Sequence, residues 1–94
     1  MRQCDIVSYR SLPIAERATE LLRLWSPQLG DCHNDAARVA AFIPGCEVVT
    51  GTAVPHTLDY PVPHSWNRVQ DCDFDLTAEA NQFAYYGYIE VAVR

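Results

Sequence analysis

The sequence contains no lysine. Its seven basic residues are all arginine, set against twelve acidic ones, for a net charge of −5. A phosphate backbone needs clustered positive charge, so neither nucleic acid nor an anionic membrane surface is an expected partner. No apolar run reaches the roughly 18–20 residues of a membrane helix. The opening MRQCDIVSYR has no apolar leader core, so a secretory signal is not expected. Glycine is scarce, and Gly30, Gly45, Gly51 and Gly87 are too scattered to form a phosphate-cradling loop. Zinc motifs are missing: there is no C-x-x-C or H-x-x-x-H, and Cys32, His33 and Cys46 match no ligand rhythm. Asp71, Asp73 and Asp75 alternate like a solvated acidic edge, without the ligand number or glycine bend of a calcium loop. No metal and no cofactor are therefore expected.

Residues 1–94 are short enough to form only a single domain with one core. Hydrophobic residues make up 49% and charged ones 20%, which excludes a disordered chain. The four cysteines are Cys4, Cys32, Cys46 and Cys72. Without a leader the expected compartment is cytoplasmic and reducing, which favours free thiols over disulfides.

Apolar periodicity predicts two helices. In Ser11–Trp25, Ile14, Ala18, Leu21, Leu22 and Trp25 form a stripe of helical period, with Ser11 as N-cap and Pro13 in the first turn. Asp31–Ile43 follows, with Asp31 as N-cap and Ala36, Val39, Ala40 and Ile43 as its apolar stripe, ended by Pro44-Gly45. Strands are expected at Cys46–Val54, His64–Gln70, Cys72–Thr77 and Ala84–Val93, with a two-residue turn at Gln70-Asp71 and a short helical turn at Ala78–Phe83. Helices first and antiparallel strands afterwards define an α+β fold: two N-terminal helices on a sheet of three to four strands.

Three residues in this layout carry candidate chemistry. Cys32 opens the second helix, where the dipole and unpaired N–H groups favour a thiolate; the alternative is a small buried hydrophobe. Asp31 and Asp35 oppose thiolate formation there. In the expected register, His64 and Asp75 are diagonal neighbours on one sheet face. A carboxylate beside an imidazole fixes its tautomer and stabilises its charged form; the alternative is a surface histidine with an incidental neighbour. Trp66 shares the His64 face, either walling a site or covering a helix. Ser65, Asn67 and Val69 point the other way with Phe74 and Leu76, towards the expected core. His33 and His56 read as exposed. Tyr85, Tyr86 and Tyr88 read as sheet packing or as a binding patch.

The order Cys32, His64, Asp75 resembles that of the papain-like and transglutaminase-like cysteine enzymes. The segment HSWNRVQDCDFDLTAEANQF resembles the His-to-Asp portion of small bacterial and phage members, and GDCHNDAARVAAF resembles their Cys-helix portion. The likeness spans roughly residues 28–83. It implies a minimal core of that fold, with Cys32 as nucleophile, His64 as general base and acid, and Asp75 as orienter. It also implies thiol-dependent acyl transfer on a protein or peptide: peptidase, glutamine deamidase or transglutaminase-like. Gln28 is the counterpart of the family's oxyanion glutamine, although it precedes Cys32 by only four residues, and the Cys32 N–H is the alternative donor. Trp66 would line the substrate side. The chain is too short for the second lobe of a full peptidase. The alternative is therefore a non-catalytic protein-binding module, such as a phage-type inhibitor or accessory protein, that retains the fold and docks through Tyr86 or Tyr88.

Overall fold

The computed structural model describes residues 1–94. The architecture is α+β. Five antiparallel strands form one sheet: β1 (Arg2–Cys4), β2 (Glu47–Pro55), β3 (Val62–Val69), β4 (Cys72–Phe74) and β5 (Tyr85–Val93), in spatial order β1-β5-β2-β3-β4. Three helices accompany it: α1 (Ala15–Leu24), α2 (Cys32–Phe42) and the short α3 (Leu76–Ala80). The sheet is therefore larger than the expected three to four strands, and a third helix joins the N-terminal pair.

The first predicted helix begins later than its pattern suggests. Tyr9–Ser11 is a separate 3-10 turn, and the Ser8 hydroxyl caps it by accepting from the Arg10 N–H at 3.3 Å. Ser11 thus lies within that turn, and Ile14 occupies the N-cap position of α1 without a side-chain cap. Helix α2 matches its predicted span to within one residue at each end. Asp31 stands at its N-cap, but the carboxylate accepts from Asn34 Nδ2 at 2.8 Å and caps no backbone N–H.

The β3–β4 hairpin turns on Gln70 and Asp71, both with positive φ (49° and 62°), as a tight two-residue hairpin requires. Its ladder pairs Val69 with Cys72, Arg68 with Asp73 and Asn67 with Phe74, and then stops. The predicted strand through Thr77 ends at Phe74, because Asp75 leaves the ladder to cap α3, accepting the Ala78 N–H on Oδ1 at 3.2 Å. An Asp side chain that satisfies the backbone locally competes with strand pairing. The expected register, which continues the ladder with Trp66 opposite Asp75 and His64 opposite Thr77 and so makes His64 and Asp75 diagonal neighbours, consequently does not form.

Both sheet faces are buried. On one, Val69, Phe74 and Leu76 pack with Leu21, Val39 and Ile43 beneath α1 and α2. On the other, Cys4, Val49, Ala53, Trp66 and Tyr88 form a second cluster. The His64 face, expected to be the more polar outer side, is thus an interior. Its cover is the N-terminal segment, absent from the predicted elements: β1 pairs with β5, and just beyond it Ile6 bridges Asp73 on β4, with the Val7 N–H donating to the Asp73 carbonyl at 2.9 Å. The same short segment touches both edges and curls the sheet. Gly51 permits close approach at the β2–β5 register shift; a Cβ there would lie 1.9 Å from the Ile89 carbonyl oxygen. Gly51 also pairs with His64 across β2–β3, so this close contact lies beside the candidate histidine.

Candidate active site

Cys32 is the first residue of α2 and half-buried. Gly30, at φ 89°, makes the left-handed step that lets the chain turn into the helix. Because β4 ends opposite Asn67, Ser65 has no ladder partner on that edge, and its backbone N–H meets the Cys32 sulfur. The neighbouring imidazole of His64 acts on the same thiol through hydrogen bonding and charge.

His64 is 2% exposed. Its Nε2 lies 2.6 Å from Asp75 Oδ2, which also accepts the Tyr88 hydroxyl at 3.0 Å. Together with the Ala78 N–H on Oδ1, three donors fix the Asp75 carboxyl in place. Aromatic rings fix the imidazole: Tyr85 at 4.5 Å between centroids, Tyr88 at 5.9 Å and a stacked Trp66 at 6.0 Å. With Nε2 engaged by Asp75, Nδ1 is the ring nitrogen available to exchange a proton with Cys32.

The electrostatics follow from these contacts. Burial on its own would push the Cys32 thiol up; the His64 hydrogen bond, the Ser65 N–H and the His64 charge outweigh it, and the thiol sits below its ordinary 9.0. Burial would likewise lower His64, but hydrogen bonds and charge from Asp75 and Cys32 lift it to about 9. Each group favours the charged form of the other, the condition for a thiolate–imidazolium pair. Other thiols behave differently. Burial, aided by Asp73 and Glu90, pushes Cys4 up to about 11, and burial does the same to Cys46. All four cysteines are free.

The structure thus brings Cys32, His64 and Asp75 together, by a route other than the predicted one: Asp75 reaches His64 from a helix cap, not from a paired strand. Trp66 is 1% exposed, stacks behind His64 and donates Nε1 to Asp73 at 2.9 Å, which puts it in the buried wall of the site. Gln28 is exposed; its side-chain amide donates to the Ser26 carbonyl at 3.3 Å within its own loop. His33 is exposed and shares a hydrogen bond with the Ser65 hydroxyl. His33 and Ser65, the residues that follow Cys32 and His64 in sequence, line a groove of about 540 Å³ with Ala37, Val48, Thr50 and Arg94; Cys32 and His64 themselves are not among its lining. Tyr88, a candidate for surface docking, is instead buried against Asp75, whereas Tyr86 is 59% exposed. Sequence reasoning missed Tyr85 and Tyr88 as site residues because one alternating aromatic run did not reveal which rings faced inwards. No group of three or more His, Cys, Asp or Glu side chains is arranged to hold a metal ion. No helix is long and apolar enough to cross a membrane.

Comparison with known proteins adds no relative: no protein-family model, no curated protein and no solved structure matches the chain.

Proposed function

We propose that the protein is a thiol-dependent acyl-transfer enzyme of papain-like or transglutaminase-like type, with Cys32 as nucleophile, His64 as acid and base, and Asp75 as orienter. One observation carries the reading: a buried His64 bonded through Nε2 to Asp75 at 2.6 Å, near enough to Cys32 for each to shift the other's titration. The substrate is a protein or peptide carboxamide, peptide or isopeptide bond, acted on in the cytoplasm without a cofactor.

The Cys32 thiolate attacks the carbonyl carbon, forming a C–S bond and an oxyanion. The N–H groups of the first turn of α2, Cys32 among them, are available to that oxyanion because no preceding helical turn uses them. Collapse breaks the C–N bond, and the His64 imidazolium gives its proton to the departing amine. Water or an acceptor amine then attacks the thioester while His64 takes the proton; the C–S bond breaks and the thiolate returns. The groove lined by His33, Ser65 and Thr50 is the place for the substrate segment beside the reacting bond.

An activated ester such as p-nitrophenyl acetate tests the reading without knowledge of the natural substrate. Intact-mass measurement should find a thioester on Cys32 that forms and clears in the wild type, forms far more slowly in His64→Ala and is absent in Cys32→Ala. Acylation of Cys32 no faster than of Cys72 would contradict it.

A second reading, a non-catalytic binding module, draws support from Tyr86, Ile89 and Val91, apolar side chains exposed along β5. On that reading Cys32→Ala leaves partner binding intact and Tyr86→Ala damages it.

A further inference from the structure

We infer that Asp35 is the positioning residue of this site: one buried carboxylate oxygen ties the loop that leads into Cys32 to α3, the helix that Asp75 caps. The inference rests on the reading of Cys32, His64 and Asp75 as a working triad. Asp35 is 3% exposed. Its Oδ2 accepts the Gln28 backbone N–H at 2.9 Å and the Thr77 hydroxyl at 2.9 Å, the latter from 42 residues further along the chain. A second tie runs alongside, Asn81 Nδ2 donating to the Pro27 carbonyl at 2.9 Å and to the Thr77 carbonyl at 2.7 Å.

The placement matters because nucleophile and orienter arrive on separate elements. Cys32 and Asp35 are three residues apart on α2 and share a face. Thr77 lies two residues after Asp75. His64 sits between them on a strand anchored by the whole sheet. A carboxylate joining α2 to α3 therefore sets how closely the thiol approaches the imidazole that Asp75 holds. The acid is an expensive choice for packing alone. Burial, and then the charges of Asp31 and Asp75, push its pKa up, only partly offset by the Thr77 and Gln28 hydrogen bonds.

The experiment is the pH dependence of iodoacetamide alkylation at Cys32, followed by peptide mass spectrometry, in Asp35→Ala, Thr77→Val and Thr77→Ser, with circular dichroism to check folding. Thr77→Val, which leaves the Asp35 charge in place, should move the midpoint up towards an ordinary thiol and slow alkylation at neutral pH by about tenfold to a hundredfold. Asp35→Ala should slow alkylation in the same direction, with a smaller shift of the midpoint because a charge that opposes the thiolate is lost with the tie. Thr77→Ser, which keeps the hydroxyl, should restore the wild-type profile; a brace that only stabilised the fold would leave the midpoint unmoved in every folded variant. Folded Thr77→Val with a wild-type midpoint overturns the inference, and it decides the matter even if Asp35→Ala does not fold. A wild-type midpoint at or above 9.0 overturns the triad reading as well, whereas a low wild-type midpoint shared by the variants overturns only the role of Asp35.

Discussion

Two cation–carboxylate clusters lie on the same face of β3, and they have opposite chemical characters. At one end His64 faces Asp75. At the other, Arg68 donates Nε to Asp73 Oδ1 at 2.5 Å and its Nη2 to Asp73 Oδ2 at 3.0 Å and to Glu90, while Trp66 adds an Nε1 donor to Asp73. Both are buried and rich in hydrogen bonds. Arg68 holds its proton at any physiological pH, and its carboxylates raise that hold further. The cluster also holds a thiol, Cys4, whose pKa burial and the two carboxylates push up to about 11, and its Glu90 reaches the surface beside Arg2. His64 has a second nitrogen that Asp75 leaves free, and its ring shifts the titration of a half-buried thiol, Cys32. Burial, hydrogen bonding and even a thiol are thus common to both; an imidazole that can give up its proton, beside a thiol whose pKa is lowered and not raised, distinguishes the candidate site.

Removing the imidazole should have the largest effect. His64→Ala should lower acyl transfer from an activated ester by about 10²-fold or more, measured as the rate of thioester formation on Cys32, with the Arg68 cluster intact. Breaking the other cluster should do the reverse. Arg68→Leu leaves Asp73 buried without its cation and should cost about 3–5 kcal/mol in a denaturant titration, while the alkylation profile of Cys32 stays in place.

The two clusters should also separate by pH. His64, lifted to about 9, contributes stability that is full below 6.5 and lost as pH rises through about 9. Cys32, lowered, contributes stability that is full above 9.0 and lost as pH falls through its folded value. The two trends oppose each other, because one proton stays bound to the pair in the folded state as it does in the unfolded chain. Wild-type stability should therefore vary little between 6.5 and 9, and Cys32→Ala should expose a decline with rising pH, read from denaturation midpoints. Asp73 and Glu90 are lowered, Glu90 by Arg68 and Asp73 by Arg68 and Trp66 against the opposing effect of burial. Their contribution is full above the usual carboxylate range and lost only as the medium turns acid. The smallest effect belongs to Tyr88→Phe, which removes one of three donors to Asp75; about 1 kcal/mol of stability should go, with the thiol titration little changed.

Some of this was legible in the residues. Gly30, Asp31 and the apolar stripe behind them placed Cys32 at a helix start, and the hairpin at Gln70-Asp71 followed from turn chemistry at two positions without glycine. Asp75 was legible as a partner of His64, but its element was not: Phe74, Asp75 and Leu76 alternate as a strand does, and only the cap to Ala78 shows that the ladder has ended. The curl was hidden because β1 is three residues, Arg2–Cys4, with no pattern of its own. Tyr86 and Tyr88 could not be told apart, since the β2–β5 register shift between Val54 and Pro55 decides which ring turns inwards. Asp35 was masked by a sufficient local explanation, an acid in the first turn of a helix.

A thiolate–imidazolium pair of Cys32 and His64 is the state on which the proposed chemistry depends. It is tested most directly by the ultraviolet thiolate absorbance of the protein as a function of pH, taken as the difference between wild type and Cys32→Ala. The expected result is a midpoint for Cys32 below 9.0 that returns to the ordinary range in His64→Ala. A midpoint at or above 9.0 in the wild type, unaffected by His64→Ala, would contradict it.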